Sequence, residues 1–338
     1  MQGLARRGIG RTGIAAGAGV LTAPMINGAA KAQAVKLMMS HVHPPAALIH
    51  QISEKFAGYV AEGTRGQVTV EVRPASQLFN LRGSVEAIQL GTLDFCYSDL
   101  GTFGNWQPHL GFTSLPFLFT DFDHVKRVLY GKVGEMVRAD VKQTMGVEAL
   151  ALGATGFRVF AGRKEIRNAA DCRGIKLRVP EVPVFVEMGR ALGANPTPIP
   201  AGEMYTALQA GVVDAVELPP DVVANFKLWE VAQHVTRTNH IFTEASIFAS
   251  TTSTGMRGLS AQNWQIVREA GRRALEVDNW DLNLKAQTAA WQSLTERMKA
   301  VSDPDIASFR EKTAPVIAGF TAKTGAKGKA FVEATMAA

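Results

Sequence analysis

The chain has 338 residues, 46% hydrophobic and 20% charged, with 32 glycines, 15 prolines and 2 cysteines, a balance that excludes a disordered or disulfide-stapled chain and supplies a real core. Single cores stop growing at roughly 250–300 residues, so two domains are expected. Residues 1–34 hold Arg6, Arg7, Arg11 and Lys31 and no acid, so the formal charge of +6 at pH 7 falls to +2 without them, and the Lys and Arg that remain are scattered among acids, which leaves no nucleic-acid footprint.

In chain order, Arg6-Arg7 precede an uncharged Ala/Gly-rich stretch from Thr12 to Ala30, and Ala32-Gln33-Ala34 has the small-x-small form of a signal-peptidase site. Residues 1–34 therefore read as an export signal cleaved near Ala34. The paired arginines are similar to a twin-arginine signal, with Ala5 and Gly10 departing from its pattern; Sec export is the alternative. Four glycines, Pro24 and Asn27 make the stretch a poor bilayer span. Cys96 and Cys172 lie in apolar or structured runs far apart in sequence, so buried free thiols are expected even in an oxidising compartment.

Lys36 to Met39 opens as a short strand. Ile49, Ile52, Phe56 and Tyr59 recur at helical spacing, and Val68, Val70 and Val72 alternate with polar residues as a half-buried strand closed by Pro74. A helix near Gly83 to Leu90 and a strand over Leu93 to Tyr97 continue the pattern. Alternating strands and helices of this kind predict an α/β fold with mostly parallel sheets, in which ligands bind beyond the carboxyl ends of strands. Ser98 and Asp99 sit at such an end.

One helix is expected over Asp121 to Met145, then a long apolar strand from Val147 to Phe160 whose glycines suit a passage between two lobes. Ile175, Leu177 and Val179 alternate with Lys176 and Arg178, a strand stopped by Pro180. A helix near Pro183 to Leu192, a proline-stiffened connection over Pro196 to Pro200, a helix near Gly202 to Ala210 and a strand over Val212 to Leu218 follow. After a helix near Asp221 to Val231 and strands near Val235 to Ser250, Ser260 to Val301 contains no proline and one glycine, as a long helix bridging two lobes would. Asp305 to Ala338 reads as shorter C-terminal helices.

Chemistry-bearing motifs are sparse. His41 and His43 stand two apart, but Pro44 follows and no third metal ligand is near in sequence. The chain has no Gly-x-Ser-x-Gly elbow, phosphate loop or dinucleotide fingerprint, so no cofactor is expected. What stands out is arginine on structured elements. Arg178 is mid-strand between apolar residues, which calls for a carboxylate either from the protein, such as Glu181 or Glu203, or from a ligand. Arg158, in the crossover strand, presents the same choice.

Asp171-Cys172-Arg173-Gly174-Ile175-Lys176-Leu177-Arg178-Val179-Pro180, Ala191-Leu192-Gly193-Ala194-Asn195-Pro196-Thr197-Pro198, Glu203-Met204-Tyr205-Thr206-Ala207-Leu208-Gln209 and Gly211-Val212-Val213-Asp214, in that order, resemble the substrate-binding proteins of tripartite ATP-independent periplasmic (TRAP) transporters, the DctP-like family. Ser76-Gln77-Leu78, Ile88-Gln89-Leu90-Gly91 and Leu115-Pro116-Phe117-Leu118-Phe119 fit the same pattern, so the resemblance runs from about Val35 to the C-terminus. It implies a two-lobe periplasmic binding protein of the type II-like, Venus-flytrap class that closes on a small organic acid and delivers it to a sodium-driven TRAP membrane permease. It also implies that Arg178 forms a two-pronged salt bridge to the ligand carboxylate, that Arg158 assists, and that Arg82 supplies a further polar contact.

Leu218, in Ala215-Val216-Glu217-Leu218-Pro219, stands where sialic-acid-binding members have an amide, and Ala201 stands where many members have an aromatic residue. Both imply a roomier, less polar pocket suited to an acid with an apolar portion. The expected lobes are 35–155 plus 245–284, and 156–244 plus 285–338. His41, Ser98, Asp99 and Leu218 complete the expected ligand-binding set, and a monomer is expected. A periplasmic enzyme using Asp99, His41 or Glu203, or a ligand sensor, is the alternative on the same scaffold.

Overall fold

The computed structural model describes residues 34–338, so the expected export signal lies outside the described residues except for Ala34. Strands β1 (Val35–Ser40), β2 (Val68–Arg73), β3 (Phe95–Ser98) and β4 (Val147–Phe157) open the chain. Next come β5 (Val159–Gly162), β6 (Lys176–Val179), β7 (Asn195–Pro198), β8 (Ala215–Leu218) and β9 (His234–Thr236), and then β10 (Phe242–Ser250) and β11 (Ala300–Ser302). One sheet has the order β2-β1-β3-β10-β4 and the other β11-β9-β5-β8-β6-β7. In the first, β1 is parallel to β2 and β3, whereas β10 runs antiparallel to β3 and β4.

Both sheets are covered on both faces, and the two-residue period of a strand assigns the side chains. On β3, Phe95 and Tyr97 join the core under the helix Leu48–Gly63, while Cys96 joins the core under the helix Leu81–Leu90. On β5, Val159 and Ala161 face one core of the second sheet and Phe160 the other. Cys96 and Cys172 are free and buried in different cores. The helix Leu81–Leu90 shows how local chemistry sets element ends. Asn80 accepts from Gly83 N at 2.8 Å, and Gly91, at φ 76°, closes the helix in the left-handed conformation.

Only Arg158 separates β4, in the first sheet, from β5, in the second. Its N–H donates to the Ile241 carbonyl at 2.8 Å, which ties the outgoing chain to the returning segment between β9 and β10. A third connection is the helix Ala261–Arg272, continued through a π-helical segment, Arg273–Asp278, into Asn279–Arg297. Val267, Ala270, Ala274 and Leu275 pack on the first sheet and Leu294 on the second, so the bridging helix is as expected. It lies so close to β4 that a Cβ on Gly153 would sit 2.8 Å from the Leu275 carbonyl oxygen. Asn279 Oδ1 accepts from Ala154 N at 2.9 Å, and Asn283 and Gln287 donate to the carbonyls of Ala154 and Thr155.

Several expected elements differ from the structure: the strand expected over Val147 to Phe160 is split at Arg158, and the helix expected near Asp221 to Val231 runs only over Pro220–Asn225. The helix expected over Asp121 to Met145 is two, Phe122–Tyr130 and Lys132–Met145, because the extended backbone at Gly131 interrupts it. The proline-stiffened connection is the edge strand β7, where a missing N–H is tolerated. The C-terminal segment is a helix, Ile306–Met336, kinked at Gly325 (φ 64°). It is shared between the halves: Phe309 packs in a core of the second sheet, while Val316, Phe320, Phe331 and Val332 complete a core of the first. Among the described residues no helix is long and apolar enough to cross a membrane.

Candidate functional site

A cavity of about 660 Å³, counted to its open mouth, lies where the carboxyl ends of β3, β6 and β8 converge with the two crossing segments. Its walls come from both sheets. Tyr97, Asp99 and Thr155 contribute from the first, Arg178 and Leu218 from the second, and Arg158 and Glu244 from the crossings.

Arg178 is 2% exposed. Its Nε donates to the Ile199 carbonyl at 2.8 Å, which fixes the plane of the guanidinium. Among the described residues no carboxylate comes within ion-pairing distance, and Nη1 and Nη2 make no hydrogen bond. Burial pulls its pKa down to about 9, with nearby Arg158 adding to the shift and Glu217 and Glu181 opposing it, so it stays protonated at neutral pH. The choice left open by the sequence thus falls against a protein carboxylate. Glu203, one of the partners expected from sequence, is exposed and does not line the cavity.

Arg158 is different. Its Nε and Nη2 grip the Glu217 carboxylate, with Nη2–Oε1 at 2.8 Å, and Nη2 also donates to the Glu217 carbonyl at 2.6 Å. Nη1 donates to Thr243 Oγ1 at 3.0 Å, and the guanidinium stacks over Phe185. Burial would raise the Glu217 carboxyl, but Arg158 and His240, whose Nε2 lies 3.4 Å away, outweigh it and hold it below the usual range. The Arg158 fork is therefore filled from within, and only its Nη1 edge faces the cavity beside Thr243.

Four of the residues expected from sequence line the cavity, namely Arg178, Arg158, Asp99 and Leu218. Three do not. Ser98 is buried on the face of β3 opposite Tyr97 and Asp99, as strand alternation requires. His41 is fully buried behind the wall, its Nε2 3.1 Å from His50 Nδ1, and Val42 and His43 stand in its place. Burial lowers the His43 pKa to about 4, leaving it neutral. Arg82 is exposed on the outer face of its helix, donating Nε to Glu86 at 3.2 Å and lying over Trp106, and it borders only a smaller adjoining cleft.

Sequence reasoning missed Tyr97, Thr155, Phe185, Thr243 and Glu244. The Tyr97 hydroxyl bonds Thr155 Oγ1 at 2.7 Å. Glu244 is 2% exposed, with Oε1 accepting from Leu100 N and from Thr113 Oγ1. Burial, then the neighbouring Asp99, push its pKa up to about 7, and burial likewise raises Asp99. The available signal was the one charged residue of a strand, Phe242–Ser250, whose other members are apolar or small hydroxyl residues.

The chain matches the profile of the bacterial extracellular solute-binding proteins, family 7 (DctP), over residues 39–324. A solute-binding protein of Roseobacter denitrificans is 30% identical over 256 residues, 76% of this chain and 78% of that protein. The C4-dicarboxylate-binding periplasmic protein DctP of Rhodobacter capsulatus is 29% identical over 290 residues, 84% of this chain and 83% of its own length. The crystal structure of a TRAP periplasmic solute-binding protein from Polaromonas sp. JS666, bound to D-erythronate, superposes with a TM-score of 0.84 at 28% identity, covering 90% of this chain and 98% of that one.

Proposed function

The chain belongs to family 7 of the bacterial extracellular solute-binding proteins, and from that premise we propose that it captures a small organic acid on Arg178 and hands it to a TRAP membrane permease. The relatives named above bind a C4-dicarboxylate and D-erythronate, both carrying the carboxylate that a planar guanidinium fork matches in two parallel hydrogen bonds. The observation that carries the reading is the state of Arg178: a guanidinium 2% exposed, oriented by the Ile199 carbonyl, with two nitrogens unspent. A buried cation without a counter-charge is costly, and a ligand carboxylate removes that cost.

Arg158 serves as a support more than a second prong, because Glu217 already occupies it. The lobes, centred on the two sheets, close around the ligand by population shift, since an acid touching both stabilises the closed state in proportion to its extra contacts there. The closed form is what the permease reads. The protein acts as a periplasmic monomer, exported by a signal within residues 1–34, and as a carrier instead of a catalyst. The three groups a catalytic reading would recruit do not converge, since His41 is buried outside the cavity and Glu203 is exposed, leaving Asp99 alone in it.

A thermal-shift screen over mono- and dicarboxylic acids, aldonates, uronates and aromatic acids tests the reading, because a ligand that binds only the native form raises its melting temperature. Carboxylates that stabilise the wild type and fail to stabilise Arg178→Met support it. Stabilisation that survives the substitution refutes it.

A further inference from the structure

The cavity that holds the unpaired Arg178 also holds two carboxyl groups, Asp99 and Glu244, that form no ion pair among the described residues, although the field of nearby Arg158 favours the Asp99 carboxylate. Asp99 stands at the end of β3 and Glu244 in β10, where Ser246 pairs with Ser98, so the strand register sets the two acids side by side. Each is tethered through one oxygen only. Asp99 Oδ1 accepts from Thr102 N at 2.8 Å and Thr102 Oγ1 at 3.1 Å, and Glu244 Oε1 accepts from Leu100 N and Thr113 Oγ1. Among the described residues the second oxygen of each accepts from no other residue, although Glu244 is 2% exposed.

The other charged and titratable groups around them are committed. Arg158 is held by Glu217, the Tyr97 hydroxyl bonds Thr155, and Asp221, just behind the wall, accepts from Gln287 Nε2 at 3.0 Å. His43 is neutral. A guest with only a carboxylate neutralises Arg178 but adds a negative charge to a site that already holds the acid pair, and a dicarboxylate adds two. A metal ion does not fit the pair, because among the described residues no third histidine, thiol or carboxyl completes a ligand set.

Resting on the carboxylate reading of Arg178, we infer that the guest is a zwitterion, an amino acid or N-methylated amino acid whose carboxylate meets Arg178 and whose cationic nitrogen meets the Asp99–Glu244 pair. Both halves of the site are then paired in a low-dielectric cavity, where unpaired charge is most costly. The surrounding Phe185, Met204, Leu218, Val222, Phe226 and Phe242 suit the methylene or methyl groups between and around those charges.

The test is isothermal titration of the full exported chain with short straight-chain acids, each presented as the amino, trimethylamino, hydroxy, unsubstituted and dicarboxylate member of the same length, and with the matching amines. The expected result is an amino or trimethylamino acid that binds at least about tenfold more tightly than its hydroxy and unsubstituted counterparts. Glu244→Gln and Asp99→Asn, each checked for native melting, should shrink that preference to about threefold or less while the unsubstituted acid binds as well or better. Tighter binding of hydroxy, unsubstituted or dicarboxylate members at every length, or no binding of any amino member, overturns the inference; in the first case the Arg178 reading still stands. Amines that bind as tightly as the amino acids overturn both. A preference undiminished in both variants overturns the assignment to the acid pair.

Discussion

Replacing Arg178 separates the cost of holding an empty site from the benefit of filling it. Arg178→Met keeps a long, flexible side chain of similar reach between the buried neighbours Leu177 and Val179 and removes the charge. In the unliganded protein the substitution loses one hydrogen bond, Nε to the Ile199 carbonyl at 2.8 Å, worth about 1 kcal/mol net. Against this it removes a buried cation that has no ion-pair partner and whose pKa burial has already pulled to about 9, a displacement from 12.5 that corresponds to about 4–5 kcal/mol at most. The unliganded variant should therefore be as stable as the wild type or more so, by up to about 3 kcal/mol. Binding should move the other way. Two charge-assisted hydrogen bonds at about 1.5–3 kcal/mol each make the methionine variant lose at least a hundredfold in affinity, roughly. Arg178→Lys, which retains one charge-assisted bond, should lose about ten- to a hundredfold. Urea denaturation of the unliganded proteins and calorimetric titration of the best acid from the screen read the two quantities. A methionine variant that unfolds more easily while binding the acid with unchanged affinity would show that Arg178 is a structural residue and would refute the argument.

Glu217→Gln leaves Arg158 buried at 6% exposure without its carboxylate and should lower stability by about 3–5 kcal/mol, read as a drop in the urea midpoint at unchanged slope. Glu244→Gln tests the raised carboxyl through pH. A group whose folded pKa lies near 7 against 4.5 unfolded is bound to its proton more tightly in the native state, so it favours folding below about pH 4.5 and loses that contribution as pH climbs toward 7. The stability of the variant relative to wild type should accordingly rise over that window, by up to about 3 kcal/mol, and a difference that is flat with pH would contradict the burial of Glu244 beside Asp99. Gly153→Ala puts a methyl 2.8 Å from the Leu275 carbonyl in the bridging helix and should cost about 1–3 kcal/mol by forcing helix and strand apart, visible as a lower melting temperature.

Strand and helix patterning was legible because it is written in local periodicity. Val68, Val70 and Val72 alternate whatever they pack against, and Ile49, Ile52 and Phe56 mark one helix face. The ordered motifs around Arg178 gave the family, and the apolar neighbours of that arginine gave the suspicion of a bound carboxylate. What failed locally did so for identifiable reasons. Gly131 breaks a helix that periodicity carries straight through, and β7 forms from Asn195–Pro198 because an edge strand needs hydrogen bonds on one side only.

The site was legible only in part, because lining a cavity depends on which face of an element a residue occupies and on what crosses from elsewhere in the chain. Ser98 and Asp99 are adjacent in sequence, yet strand alternation sends one into the core and the other into the cavity. No spacing rule links Arg158 to Glu217, 59 positions apart, or Asp99 to Glu244, 145 apart; each pair is made by an antiparallel pairing, β5 with β8 and β3 with β10. The sequence alone determined the alternating α/β elements, the family and the two arginines set among apolar strand residues, Arg158 and Arg178, since all three are properties of neighbours along the chain. Only the tertiary structure decided that Arg158 already has a carboxylate and Arg178 does not, because charge balance is a property of neighbours in space.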